Sequence, residues 1–141
     1  MSFNPNHLTL AQGIDIIKKA QKDLGLTQDK IITSHDVPGL WTNRDLRVTN
    51  IPGGFNKVML PFYFEGASTF YISSAGPNLY VPAHSHDEGA GFRFIASGSI
   101  IYNGKEFKGG DWMFVPAKAT YEFRVGPTGV LICYCYQCCC A

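Results

Sequence analysis

Apolar residues recur with helical spacing near the start of the chain. Thr9 and Gln12 fit a capping box before this stretch, and Gly25 supplies a C-terminal stop after it. The apolar positions of the stretch are Ile14, Ile17, Ala20 and Leu24. The pattern predicts an amphipathic α-helix that packs against a larger body.

From about Leu40 onward the pattern changes to that of short β-strands. Runs rich in Val, Ile, Tyr, Phe and Thr are separated by Gly, Pro and Asn, at spacings typical of a β-sandwich or barrel. The runs are 57–65, 68–73, 79–85, 92–96, 99–102, 112–115, 120–125 and 130–136. Asn103-Gly104 predicts a tight hairpin, because its turn needs positive φ at both residues. We expect a single antiparallel β-barrel over residues 39–141, with a helical N-terminal extension over residues 1–38.

Composition and charge exclude several classes of protein. The 141 residues are 45% hydrophobic and 16% charged, which excludes a disordered chain and suits one domain with its own core. The net charge of +1 implies no basic face, so a nucleic-acid partner is not expected. The N-terminus lacks the layout of a secretory signal, and no apolar run is long enough to span a bilayer. We therefore expect a cytoplasmic protein without a membrane partner.

The five cysteines lie together between Cys133 and Cys140. Cysteines so clustered cannot cross-link distant parts of a fold, which argues against a disulfide framework and fits a reducing compartment. Cys135 and Cys138 have half of the spacing of a zinc knuckle, but no second pair completes four ligands. We interpret these residues as incidental thiols.

His84 and His86 are the first candidate residues for a metal-binding site. On a strand they project from the same face, about 6–7 Å apart, so both imidazoles can reach one metal ion. If the extended chain continues, Glu88 joins that face and completes a set of two histidines and one carboxylate. The alternative is that these residues are exposed loop groups beside a glycine-rich turn.

Two segments, 82–98 and 109–123, together resemble the paired motifs of the cupin superfamily. The matching residues are His84, His86 and Gly98 in the first motif and Gly110, Asp111 and Pro116 in the second. The hairpin at Asn103-Gly104 falls where that family has its inter-motif turn. The resemblance implies a small cupin-type jelly-roll barrel, all-β, with a site in its interior, and a homodimer.

The chain departs from the cupin motifs at two ligand positions. Gly91 stands where the family has a glutamate, and Tyr121 stands where it has the histidine of the second motif. One divalent metal ion, whether Fe, Zn, Ni, Mn or Cu, would then be held by His84 and His86, with Glu88, Tyr121 or water at the remaining ligand positions. A metal-free cupin is the alternative.

The resemblance implies that Arg93 points into the barrel, because position 91 is the family's inward glutamate position and positions 93 and 95 share its parity. A guanidinium is costly to bury alone, so it either pairs with Glu88 or grips a carboxylate, enolate or phenolate of a small ligand. Aromatic residues on the predicted strands would wall the cavity. Such a pocket favours a flat organic ligand that is anionic or polar.

Two functional hypotheses follow. In the first, the protein is a metal-dependent enzyme, a dioxygenase-like oxidoreductase, an isomerase or a lyase. Arg93 would then hold the substrate, and Glu88 or Tyr121 would transfer the proton. In the second, it is a binding or sensing module that has lost its metal site and holds a small-molecule effector.

Overall fold

The computed structural model describes residues 4–137, which form two compact units. The first comprises the described residues up to Thr27 together with Val37–Tyr63. The second comprises Gln28–Asp36 and the described residues from Phe64 onward. The domain boundary expected near residue 38 stays a prediction. Cys138, Cys139 and Cys140 lie outside the described residues, and with Cys138 so does one member of the Cys135 and Cys138 pair that has half of the zinc-knuckle spacing.

The predicted helix is present in the first unit. Helix α1 spans Leu10–Leu24 and begins with the expected capping box: the Thr9 hydroxyl accepts from the Gln12 backbone N–H, and the Gln12 side chain accepts from the Thr9 N–H. Gly25 ends the helix with a φ of 69°, a left-handed conformation that glycine adopts at little cost. Within residues 4–137, no helix has the length and apolar character that crossing a membrane would require.

One predicted strand is absent from the first unit. Residues 57–65 form only a single β-bridge, between Arg47 and Val58, rather than a strand. Pro61 interrupts the run and has no N–H to donate to a neighbouring strand. Its carbonyl instead accepts a hydrogen bond of 3.0 Å from the Gln21 side chain on α1.

The second unit is an antiparallel sheet of seven strands. The strands are β1 (Ile32–Thr33), β2 (Thr69–Ala75), β3 (Tyr80–His84), β4 (Gly91–Tyr102), β5 (Lys105–Lys108), β6 (Trp112–Val115) and β7 (Tyr121–Tyr136). They lie in the order β1-β6-β4-β7-β2, with β3 also paired to β7 and β5 to β4. Asn103 and Gly104, at φ values of 50° and 75°, connect β4 to β5 as predicted. The expected fold class, antiparallel β with an N-terminal helix, is confirmed.

One face of this sheet carries the hydrophobic core of the second unit. The buried side chains that pack together there are Ile95, Ile100, Phe107, Met113, Val115, Tyr121, Phe123, Val125, Val130 and Ile132. Arg93 on β4 is two residues before Ile95 and therefore projects toward the same face. In the sheet register it lies opposite Met113 of β6 and Tyr134 of β7. A charged side chain is thus placed beside the core.

Candidate functional site

His84 and His86 lie side by side, although they do not belong to one regular strand. His84 is the last residue of β3, and His86 follows it in the connection to β4. Their ring centroids are 5.2 Å apart with the planes at 86°. His84 Nδ1 is 2.8 Å from the Pro82 carbonyl, and the His86 side chain is buried, with 7% of its surface exposed. The pair is therefore close, and it is arranged edge to face.

Tyr121 brings strand β7 to this histidine pair. It lies opposite His84 in the β3–β7 register, and its ring centroid is 4.6 Å from that of His84. Its hydroxyl oxygen is 3.4 Å from His86 Nε2, and only 3% of the residue is exposed. The residue at the second-motif histidine position thus adjoins both candidate ligands.

Arg93 is held by two phenols. Its Nε and Nη2 donate to the Tyr121 hydroxyl oxygen at 3.2 and 3.1 Å, and Nη2 also donates to the Tyr136 hydroxyl oxygen at 2.5 Å. The two hydroxyl oxygens are 3.2 Å apart. Together with His86, these three residues form one connected hydrogen-bond network, which we call the Arg93 network.

Glu88 does not join this network. Among the described residues the expected pairing with Arg93 is absent, and the expected role of Glu88 as a metal ligand stays a prediction. Glu88 is exposed, in the turn between β3 and β4. Within residues 4–137, no three His, Cys, Asp or Glu side chains group to hold a metal, and no carboxylate pairs with Arg93. The physical reason is local, because β3 ends at His84 and the alternation of faces that would carry residue 88 inward ends with it.

Tyr136 is the site residue that the sequence patterns missed. It lies opposite Gly91 in the β4–β7 register, it is almost fully buried, and its ring centroid is 4.2 Å from that of His86. Burial raises the pKa of its phenol well above the usual value, and the positive charge of Arg93 opposes this only in part. The signal that could have found it is the inward parity of Tyr134 and Tyr136 on the last predicted strand.

The residues of the cluster are a poor fit for a resident metal ion. His84 and His86 offer two ring nitrogens, whereas catalytic sites for zinc-like ions use three protein ligands. The next available donor, the Tyr121 oxygen, already accepts two N–H groups from a guanidinium. A cation bound to that oxygen would lie against the positive charge of Arg93, which is unfavourable. The chemistry of this donor set suits an anion better than a cation.

A cavity of about 760 Å³ lies elsewhere on the sheet. Its lining residues are Phe70, Tyr71, Ile72, Phe92, Phe94, Cys133, Tyr134 and Cys135. Neither candidate histidine is among them, nor are Arg93 and Tyr121. The residues of the Arg93 network therefore do not line this apolar space, whereas Tyr134 does, and its ring centroid lies 4.8 Å from the Arg93 Cζ atom.

Comparisons with known proteins bear on the fold alone. No family model and no curated protein matches the chain. Among solved structures, a cupin protein from Bacteroides fragilis is 18% identical, with 79% of this chain and 77% of that chain covered and a TM-score of 0.41. An uncharacterised Klebsiella pneumoniae protein with a double-stranded β-helix domain is 20% identical, covering 53% and 66%, with a TM-score of 0.45.

A protein of unknown function with a cupin-like fold, from Ralstonia eutropha, is 19% identical to the chain, with a TM-score of 0.44. The match covers 48% of this chain and 45% of that one, so the chain spans less than half of its length. At these identities nothing about ligands or activity carries over from one protein to the other. The matched segments of these cupin-like proteins are similar to parts of the chain, at TM-scores below 0.5.

Proposed function

We propose that the second unit is a small-molecule-binding module, and that the Arg93 network with His84 is its binding site. The ligand is a small organic molecule, anionic or aromatic. The single observation that carries this proposal is the arrangement around Arg93. Its guanidinium is partly buried and bonded to two neutral phenols, and no carboxylate among the described residues balances its charge.

The cost of burying Arg93 argues for a ligand. A guanidinium taken out of water loses hydration, and phenol oxygens replace only part of it because they carry no full charge. Side chains at such a position are normally paired with an acid. A binding site explains the missing acid, because the ligand itself supplies the negative group.

The aromatic surroundings argue for an organic ligand rather than a simple ion. The Arg93 Cζ atom lies 4.8 Å from the ring centroid of Tyr134 and 5.4 Å from that of Phe123. Rings give flat contact surfaces that favour planar or apolar groups, while the few polar groups among them fix orientation. His84 is half-buried and stands at the edge of this cluster.

Binding is favoured over catalysis by the position of the expected acid–base groups. A general base must come within hydrogen-bond reach of the proton that it removes. Glu88 is exposed in the turn after β3 and makes no hydrogen bond with the Arg93 network. The Tyr121 hydroxyl is already shared between Arg93, His86 and Tyr136.

A second candidate function has one observation in its favour, the contact between His84 and His86. Two imidazoles at this separation are suited to share one divalent ion, whether Fe, Zn, Ni, Mn or Cu. With such an ion bound, the module would supply Lewis-acid or redox chemistry to an oxidoreductase, isomerase or lyase reaction.

Metal analysis combined with ligand screening separates the two candidates. The metal content of the purified protein is measured by mass spectrometry, beside that of the double variant His84→Ala/His86→Ala. Small organic anions and aromatics are then screened by thermal shift in the presence of a chelator. The proposal expects no stoichiometric metal and a stabilising ligand. Stoichiometric metal that the double variant loses would establish the second candidate, and the absence of any stabilising compound would overturn the first.

A further inference from the structure

We infer that the ligand is a carboxylate, bound directly by Arg93 Nη1 and the phenol hydroxyls, and that no metal ion takes part in holding it. This inference rests on the proposed function and narrows it to one chemical class. It assigns to the guanidinium the role that a metal cation would have in such a site, namely to neutralise the charge of the bound molecule.

One end of the guanidinium is committed to the protein and the other is not. Nε and Nη2 donate to the hydroxyls of Tyr121 and Tyr136, whereas Nη1 makes no hydrogen bond with any described residue. In the described part of the chain, no buried side-chain nitrogen or oxygen lacks a partner. Nη1 therefore keeps contact with solvent, and its two N–H groups are available to an incoming acceptor.

The phenols are set up to donate as well. Arginine has no acceptor atom, so each hydroxyl that bonds to it must accept through its oxygen. The protons of Tyr121 and Tyr136 are then left to donate, either to each other, to His86 or to a ligand.

This array of donors discriminates between chemical classes. A carboxylate at neutral pH only accepts hydrogen bonds, and it carries the charge that Arg93 lacks. An amide of the same shape is neutral and brings N–H donors of its own, which would face N–H groups. A primary ammonium would be repelled by the guanidinium. The network is thus complementary to a carboxylate and to no other member of this series.

The guanidinium is held ready for such a ligand before it arrives. Four rings surround the Arg93 Cζ atom, with centroids 4.8 Å away for Tyr134, 5.4 Å for Phe123, 5.6 Å for Tyr136 and 5.8 Å for Tyr121. Together with the two phenol hydrogen bonds, these rings restrict the rotation of the side chain. Little conformational freedom remains to be lost on binding, which strengthens the attraction.

Two matched pairs of probes test the inference by isothermal titration calorimetry with a chelator present. The pairs are acetate with acetamide and benzoate with benzamide. We expect at least one acid to bind, and to bind about tenfold or more tightly than its amide, because charge-assisted hydrogen bonds are lost in the amide. Arg93→Lys keeps the positive charge but loses the planar set of N–H donors, so it should lower the affinity for the acid by a similar factor.

Substitutions of two tyrosines supply the control and a milder variant. Tyr102 lies at the far end of β4 from Arg93 and its hydroxyl makes no hydrogen bond with the described residues, so Tyr102→Phe should leave the affinity for the acid unchanged. Tyr136→Phe removes one of the two acceptors of Nη2 while keeping the ring, and it should weaken binding even if Arg93→Lys does not fold. Equal weakening by both tyrosine variants would overturn the inference.

Other outcomes separate the inference from the proposed function. Acid and amide binding with equal affinity, or binding of the acid only after metal is added, would overturn the carboxylate assignment. If neither acid binds while a neutral compound shifts the NMR signals of Arg93 and His86, the assignment fails and the binding function stands. If no compound shifts those signals, both fail.

Discussion

The ring of Tyr136 occupies the space that a side chain on Gly91 would need. A Cβ atom built on Gly91 would lie 2.2 Å from Cε1 of that ring, far inside van der Waals contact. The two residues are direct partners in the β4–β7 register. Position 91, where the cupin resemblance expects a glutamate, therefore holds a glycine for a steric reason. The large ring of Tyr136 from the neighbouring strand fills the space, and the hydroxyl of that tyrosine accepts a hydrogen bond from Arg93.

Gly91→Ala should therefore destabilise the protein. Forcing a methyl group into a packed position costs about 1–3 kcal/mol of the free energy of unfolding. Chemical denaturation measures this, and Gly13→Ala is the control, because a Cβ at that helical position meets nothing within 4 Å. Gly13→Ala should raise the free energy of unfolding slightly, by about 0.5–1 kcal/mol.

A double-mutant cycle shows whether the clash with Tyr136 is the cause. Tyr136→Ala removes the ring and is destabilising by itself. If the clash explains the first effect, Gly91→Ala should cost much less in the Tyr136→Ala background than in the natural sequence. Additive effects would mean that the methyl group strains some other contact.

The stability of the fold should fall at high pH because of Tyr136. Its pKa is raised in the folded state from an ordinary value of 10.0, mainly by burial, so the folded protein holds this proton more tightly than the unfolded chain. The stabilisation is complete below the unfolded pKa and is lost as the pH rises above about 10.

Denaturation curves at a series of pH values measure this loss. Tyr136→Phe has no proton to lose, so its free energy of unfolding should decline less steeply between about pH 9 and pH 11. Tyr134→Phe keeps the buried phenol of Tyr136, so its free energy of unfolding should decline with pH as steeply as that of the natural sequence. Identical slopes for all three proteins would contradict the assignment.

Cys135 should react with alkylating agents more slowly than Cys133. Both lie on β7, but Cys135 is buried and Cys133 is half-buried. Burial also raises the pKa of the Cys135 thiol, against hydrogen bonds from Ser68 and Phe92 that lower it, so less of it is the reactive thiolate. Mass spectrometry of peptides after timed iodoacetamide treatment gives the two rates. In denaturant the difference should vanish, and a difference that persists there would show that burial is not its cause.

Glu88→Gln should leave stability and metal content unchanged, because Glu88 is exposed and joins no cluster in the described residues. His86→Gln is the matched change within the Arg93 network and should lower the melting temperature. Loss of a bound metal ion in Glu88→Gln would show that Glu88 has the metal-ligand role that the sequence pattern suggested.

The homodimer implied by the cupin resemblance stays a prediction, which light scattering can check.

Local patterns were enough to predict helix α1 and the hairpin between β4 and β5. The capping box at Thr9 and the hairpin at Asn103-Gly104 depend on residues within a few positions of each other, so the sequence shows them directly. The inward parity of Arg93 needed the motif resemblance, which set the face of position 91, and then the alternation of β4 from Gly91.

The composition of the site was decided by tertiary structure. Whether Glu88 faces inward depends on where β3 ends. Whether position 91 can hold a side chain depends on the ring of Tyr136, which is 45 residues further along the chain. The sequence by itself determined that two histidines, a tyrosine and an arginine would come near one another on a β-sheet. Only the pairing of β4 with β7 decided that a second phenol completes the set. The physical reason is that strand register and steric exclusion join residues distant in the chain, which no local periodicity encodes.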